Sequence, residues 1–307
     1  MKVYNPIFWG KKSLLAYLLL PLSLITFFIN QSKKMLNKKK FKIKTICVGN
    51  IYLGGTGKTS LAIEIYKILS KNYNPVFIKK KYQHHIDEIN QLKNSGNIIF
   101  NKNREDSLSL ALKKKFDVAI LDDGLQQKNL YFDFSIACFN SKNGLGNRFL
   151  IPSGPLRENL SEIKNYDTIF INGENNNNSL KKELRKIKNK IHIFEAKYKP
   201  INLKKLNLKK NYLMFSGIGN PHEFEKTLLK YKFKISKRII FPDHYKLNKS
   251  EINEIKKMAK SKNLNIITTE KDFNRLDANQ KKNIKCLKIK LDIKNIKKFK
   301  KILLEKL

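Results

Sequence analysis

The stretch GNIYLGGTGKTSLAI, residues 49–63, decides the fold. It follows an apolar run at 43–48 and precedes Leu61, Ile65 and Leu69, which are spaced as one face of a helix. A glycine-rich turn between a strand and a helix, closed by Gly-Lys-Thr, is a cradle for nucleotide phosphates. Gly54, Gly55 and Gly57 let the backbone around Thr56 fold tightly, so that amide N–H groups point at phosphate oxygens. Lys58 brings positive charge to the β and γ phosphates, and the Thr59 hydroxyl is a ligand for Mg²⁺. The strict pattern GxxxxGK[ST] asks for glycine at position 52, where this chain has Tyr52. Whether the bound triphosphate drives motion, acts as a switch or donates a phosphoryl group is left open by the loop itself.

A phosphate loop needs a carboxylate for its metal at the end of a neighbouring buried strand. FDVAILDDGLQQ, residues 116–127, supplies one: 117–121 reads as the strand, with Asp122 and Asp123 at its carboxyl end. Adjacent carboxylates repel, and a magnesium ion with its water shell relieves that repulsion. Gly124 allows the sharp turn that follows.

The 307 residues carry a formal charge of +39. That balance suits nucleic acid, anionic lipid headgroups or a phosphorylated substrate. Lysine is spread along the whole chain, with no arginine-rich stripe, so nucleic acid is not the expected partner. Cys47, Cys138 and Cys286 form no CxxC pair, which argues against a metal cage or a disulfide framework.

Near the N-terminus, SLLAYLLLPLSLITFFI (13–29) carries no charge and is flanked by lysines on both sides. As one helix it would measure about 25 Å, slightly short of a ~30 Å hydrocarbon core. It ends in Ile-Asn-Gln-Ser-Lys-Lys without a small-residue cleavage site, so a retained membrane anchor is expected, spanning or partly embedded. Because ATP is cytosolic, the chain after residue 40 is expected on the cytoplasmic side, with the lysine cluster at 33–40 facing the anionic leaflet.

Beyond the anchor, strand-like runs at 43–48, 76–78, 97–100, 117–121, 134–139, 168–171 and 191–194 alternate with helical patterns at 59–69, 104–113 and 180–188. That order predicts an α/β fold built on a parallel sheet. A lysine-rich stretch of weak periodicity reads as a connection, and a second set of strands and helices follows it. The expected organisation is an anchor and basic segment at 1–40, a phosphate-loop lobe at 41–190, a connection at 191–210 and a smaller α/β lobe at 211–307.

Six blocks, VGNIYLGGTGKT, LDDGLQQ, GNRFLIPSGPLRE, FSGIGNPHEF, FPDHY and TTEKD, stand in the order found in the tetraacyldisaccharide 4'-kinases, and the chain resembles that family from the anchor to about Asp272. That family also lacks the first glycine of the strict loop pattern. The resemblance implies a P-loop NTPase-like fold of two α/β/α lobes with an N-terminal membrane-anchoring helix and the active site between the lobes. It implies ATP and Mg²⁺ as cofactors and the lipid tetraacyldisaccharide 1-phosphate as substrate, phosphorylated at its 4'-hydroxyl to give lipid IVA. It also implies a place at the inner membrane of a Gram-negative bacterium, among its lipids, with no obligate protein partner.

A sugar hydroxyl needs a base to become a nucleophile at neutral pH. In the family that base is the Asp of a Gly-Asp-Glu-Pro block, paired with the His of FPDHY. The matching positions here are Asp87, in the altered block Ile86-Asp87-Glu88-Ile89, and His244. Tyr82 stands where the family's Ser-Arg-Gly-Tyr segment ends, but Lys79-Lys80-Lys81 replace its first three residues. Arg157 and Glu158 match a substrate-binding pair, and Asn50 is a further polar group near the phosphates. The catalytic set implied is therefore Asp87, His244, Lys58 and Asp122, with Thr59, Asp122 and Asp123 at the metal.

Two rivals remain at this level. TTEKD faintly resembles a guanine-reading motif, which would make the chain a regulatory GTPase. The high charge would suit a nucleic-acid-stimulated ATPase, although that leaves 13–29 unexplained.

Overall fold

A computed structural model describes residues 6–80, 86–174, 177–218, 221–242 and 245–307, without the side chains of Ile86 and Asp87. The chain clusters into two compact units: one is Tyr198–Lys290, and the other takes in the chain up to Lys197 together with Leu291–Leu307.

In the larger unit, helices α1 (Leu14–Leu18) and α2 (Leu20–Lys34) precede strand β1 (Lys44–Gly49) and helix α3 (Lys58–Leu69). Strand β2 (Pro75–Lys80), helix α4 (Ile86–Lys93), strand β3 (Ile98–Asn101), helix α5 (Arg104–Lys113) and strand β4 (Val118–Asp122) follow. The unit continues through β5 (Phe134–Asn140), β6 (Thr168–Asn172), α6 (Asn178–Ile187) and β7 (His192–Pro200). The smaller unit carries β8 (Asn211–Ser216), α7 (Pro221–Lys230), β9 (Lys234–Ile240), α8 (Lys249–Ser261), β10 (Asn265–Thr269), α9 (Glu270–Arg275), α10 (Ala278–Lys281) and β11 (Ile284–Leu287). Strand β12 (Ile289–Ile293) and helix α11 (Ile296–Glu305) close the chain.

The large sheet has the order β12-β7-β6-β5-β1-β4-β2-β3. Its central strand β1 runs parallel to β4 on one side and to β5 on the other, with Val48 opposite Asp122. Every residue of β1 after Lys44 is buried, as expected of a parallel strand covered by helices on both faces. The chain departs from β1 toward both halves of the sheet, so its carboxyl end is the switch point where α/β sheets bind ligands. The smaller sheet, β11-β10-β8-β9, is parallel throughout.

Three elements differ from the sequence reading. The strand read at 191–194 runs on as β7 to Pro200, into the stretch read as a connection, its continuation hidden by lysines and half-exposed residues. The C-terminal residues, read as part of the smaller lobe, pack with the larger unit, because α11 buries Phe299 edge-on against Phe170 and Phe194. The N-terminal apolar run is two helices that meet at Leu19, not one. Pro21 cannot donate a helical hydrogen bond, and it sits in the first turn of α2, where none is needed. Among the described residues, no helix is long and apolar enough to cross a membrane.

The pattern along these two successive helices is inside out. Their small and hydroxylated residues face the protein: Ala16 and Ser23 are buried, Ser23 Oγ donates to the Leu150 carbonyl at 2.9 Å and pairs with the Ser153 hydroxyl at 2.8 Å, and Thr26 donates to the Ile151 carbonyl at 2.7 Å. Leu14, Leu18, Leu22, Leu24, Ile25 and Phe28 are each at least half exposed.

Candidate active site

The site begins where β1 ends. Gly57, at φ 83°, caps α3 from the left-handed region, a conformation glycine adopts without penalty. A Cβ on Gly55 would meet nothing within 4 Å, so protein packing does not demand glycine there; the space is room for a ligand at the backbone. Lys58 and Thr59 open the helix, and their backbone N–H groups belong to the unsatisfied first turn.

Thr59 Oγ1 donates to Asp122 Oδ2 at 3.1 Å, so the β1 loop and the β4 carboxylate share one hydrogen bond. The other oxygen, Asp122 Oδ1, is buried without a hydrogen-bond partner. A buried carboxylate oxygen left open beside a threonine hydroxyl fits a magnesium ion held mainly by phosphates and water. Among the described residues, no three His, Cys, Asp or Glu side chains form an all-protein metal cage. The fit is therefore to a metal that arrives with its nucleotide.

Asp123 sits at φ 60°, unusual for a residue other than glycine. Two groups keep the turn in place: its own N–H donates to the Val48 carbonyl at 2.8 Å, and Arg104 Nη2 donates to the carbonyls of Asp122 and Asp123 at 3.2 and 2.7 Å. The turn presents the Asp123 carboxylate to Arg157 Nη1 at 2.7 Å and to Lys58 Nζ at 3.9 Å. Burial pushes this carboxyl up, but the two cations outweigh it and hold it below the usual carboxylate range. Arg157 also donates to Asn50 Oδ1 at 2.9 Å, and Gln126 donates to the Asn50 carbonyl at 2.8 Å. Asn50 in turn donates to the carbonyls of Tyr52 and Gly54, bracing the loop from within. Tyr52, the departure from the strict loop pattern, is buried against Leu150 and Leu156 and forms a β-bridge with Leu156.

Of the residues singled out by sequence, Asn50, Lys58, Thr59, Asp122, Asp123 and Arg157 are thus brought together. Glu158 is not with them. It turns inward, with Oε2 accepting from Tyr166 Oη at 2.6 Å and Lys128 Nζ at 2.9 Å. Tyr82, the Asp87 side chain and His244 lie outside the described residues. Lys79 stood out in the sequence only as part of the Lys79-Lys80-Lys81 run that replaces the family's segment, and its pairing was missed. It is buried at the end of β2, with Nζ 2.5 Å from Asp122 Oδ2 and paired with Glu88 as well.

In the smaller unit, TTEKD has a structural explanation. Asp272 is buried; it accepts from the Gly217 N–H at 3.1 Å, from Thr269 Oγ1 at 2.7 Å and from Arg275 Nη1 at 2.9 Å. Its carboxylate is spent on the start of α9 and the end of β8, not on reading a guanine.

A strand–loop–helix unit with a lysine and a threonine heading the helix, and a strand-end carboxylate beside them, defines a phosphate-loop nucleotide-binding protein. The family model for tetraacyldisaccharide-1-P 4'-kinase matches residues 15–307, and the chain belongs to that family. A tetraacyldisaccharide 4'-kinase of Pelagibacter ubique is 44% identical over 97% of this chain and 96% of its own length. One of Rickettsia typhi is 36% identical over 96% of each. A crystal structure of the Aquifex aeolicus family member LpxK, in complex with ATP, matches 95% of this chain and 99% of its own with a TM-score of 0.73. At 23% identity that likeness carries the fold.

Proposed function

We propose that the chain transfers the γ-phosphoryl group of ATP to the 4'-hydroxyl of tetraacyldisaccharide 1-phosphate, giving lipid IVA and ADP. The observation that carries this reading is the convergence of Lys58, Thr59, Asp122, Asp123 and Arg157 at the carboxyl ends of β1 and β4. Such a cluster suits phosphoryl transfer, where catalysis is mostly positioning and charge stabilisation.

In this reading the backbone of 54–59 cradles the phosphates, and Lys58 and Arg157 neutralise charge that builds on the γ-phosphoryl group and on the departing ADP oxygen. Thr59 and Asp122, with Asp123 beside them, would hold Mg²⁺, which when bound screens the β and γ oxygens. The 4'-oxygen forms a bond to the γ phosphorus as the bond to the bridging oxygen breaks, and the hydroxyl proton passes to a carboxylate. Asp87 is our candidate for that carboxylate, with His244 as its orienting partner and Tyr82 as a substrate contact. Glu158 pairs inward with Lys128 and Tyr166, so we assign it to holding the segment that carries Arg157 rather than to touching the sugar. Asn50 braces both the loop and the guanidinium.

The outward apolar face of α1 and α2 is the part we assign to the membrane. It lies in the headgroup boundary of the inner membrane rather than across it, with the following lysines toward anionic lipid on the cytoplasmic side. The acyl chains of the substrate then stay in the bilayer while its sugar reaches the phosphate loop.

The test is transfer of label from [γ-³²P]ATP to tetraacyldisaccharide 1-phosphate in detergent micelles. Magnesium-dependent labelling of the lipid, weaker with GTP and absent without acceptor, supports the reading. Hydrolysis that ignores the lipid acceptor and rises with DNA or RNA contradicts it.

A further inference from the structure

Lys79 is 3% exposed, and a buried ammonium is tolerated only when paired. Its two partners come from different elements: Asp122 ends β4, and Glu88 lies in the first turn of α4. Burial would pull the ammonium toward neutrality, and the two carboxylates more than reverse this. Asp122 Oδ2 accepts from Thr59 as well, so one carboxylate oxygen joins the phosphate loop, β2 and, through the lysine, α4.

Helix α4 needs such a tie. Eight residues are too few to hold a helix in water without tertiary contacts. Among its described side chains, the buried apolar one is Leu92 in its last turn, and Glu88 is tied in its first turn. Asp87, the residue before Glu88, is the candidate base. The two departures from the family pattern, lysine at 79 and the altered block at 86–89, fall at the two ends of this one contact.

We propose that Lys79 is a positioning residue for phosphoryl transfer: its ammonium, bridging Asp122 and Glu88, fixes the start of α4 relative to the phosphate loop. The proposal rests on the kinase reading above for what α4 positions, but the tie itself is testable without turnover. The bridge carries no proton step; it sets where the segment beginning at 86 stands.

The test uses the full chain with Lys79→Met, Lys79→Arg, Glu88→Gln and the Lys79→Met/Glu88→Gln pair. Glu88→Gln leaves the Lys79–Asp122 contact in place, so it serves if Lys79→Met fails to fold. Micellar assays should show kcat reduced about 10- to 100-fold in Lys79→Met and in Glu88→Gln, the cost of a small misplacement at a reacting centre. The dissociation constant for ATP should move less than about threefold, and the pair should be no worse than the poorer single, the signature of one shared contact. Lys79→Arg should recover part of the loss. Amide hydrogen exchange across 86–93 should quicken in Lys79→Met and Glu88→Gln and return toward wild type in Lys79→Arg. Unchanged exchange at 86–93 overturns the proposal whatever the activity does. Losses that multiply in the pair, or ATP binding that falls in step with kcat, also overturn it. An exchange effect in a chain whose wild type transfers no phosphate keeps the tie and rejects the kinase reading.

Discussion

Asn30 donates through Nδ2 to the backbone carbonyl of Arg157 at 2.8 Å. The same arginine reaches Asp123 with its guanidinium, so a single residue links the N-terminal helices to the candidate phosphate site. The 147–157 segment is the shared support. It accepts hydrogen bonds from Ser23, Thr26 and Asn30 on one side and, through the Arg157 N–H and the Pro155 carbonyl, pairs with Ile51 and Leu53 on the other.

The two faces of the N-terminal helices should therefore respond to mutation in opposite ways. Leu24→Asp/Phe28→Asp changes only exposed side chains, and it should leave Tm within about 1 °C while reducing co-sedimentation with anionic vesicles. Ser23→Ala strips the buried Ser153 hydroxyl and the Leu150 carbonyl of a partner, which should cost about 1–3 kcal/mol with vesicle binding retained. Paired vesicle sedimentation and thermal melts check both, and equal effects on the two readouts would argue against an inside-out helix pair.

At the loop, Gly57→Ala must place a side chain at φ 83°, which costs about 1–2 kcal/mol of backbone strain or forces the turn to move. Weaker binding of ATP by about tenfold or more is expected, since phosphate-binding N–H groups move with the turn. Titration with a fluorescent ATP analogue measures it.

Thr59→Ala removes the hydroxyl shared with Asp122, whereas Thr59→Ser keeps it. Losing a metal ligand should cost several kcal/mol of transition-state stabilisation, a fall in kcat of about 100-fold or more, with Thr59→Ser close to wild type. Rates across a magnesium titration distinguish this from a folding defect, because Thr59→Ala should also need more metal to reach its own plateau.

Lys34 at the end of α2 pairs with Glu162 at 2.6 Å, and Lys128 holds the same carboxylate at 3.1 Å. Burial pushes Glu162 up, and the two lysines bring it below the usual glutamate range. A depressed carboxyl contributes stability that is present above its unfolded value of about 4.3 and lost as pH falls through the lower folded value. Lys34→Ala should thus lower Tm at pH 7 and make little difference near pH 3. Melts at several pH values check the sign; a deficit that grows on acidification contradicts it.

Most of the larger sheet was legible because parallel strands buried on both faces are continuous apolar runs, as at 43–48 and 134–139. Helix α4 was not, since its first turn is Ile-Asp-Glu and, among its described side chains, the fully buried apolar one is Leu92. The second half of β7 and all of β12, at one edge of the sheet, escaped for a different reason: polar and half-covered residues there fit a loop as well as an edge strand. At the site, motif spacing brought Thr59 and Asp123 to light, because both follow strand ends in register, while Arg157 and Asn50 came with the family resemblance. The inward turn of Glu158 depends on Lys128 and Tyr166, and Lys79 depends on Asp122, partners that spacing cannot announce.

The most direct measurement is the position of the phosphate on the product. Purified chain, ATP, Mg²⁺ and tetraacyldisaccharide 1-phosphate should yield a lipid whose ³¹P–¹H correlation spectrum carries a new phosphomonoester on the 4' carbon beside the existing 1-phosphate, with Lys58→Met giving none. A pyrophosphate at position 1, or inorganic phosphate with the lipid unchanged, would contradict the account.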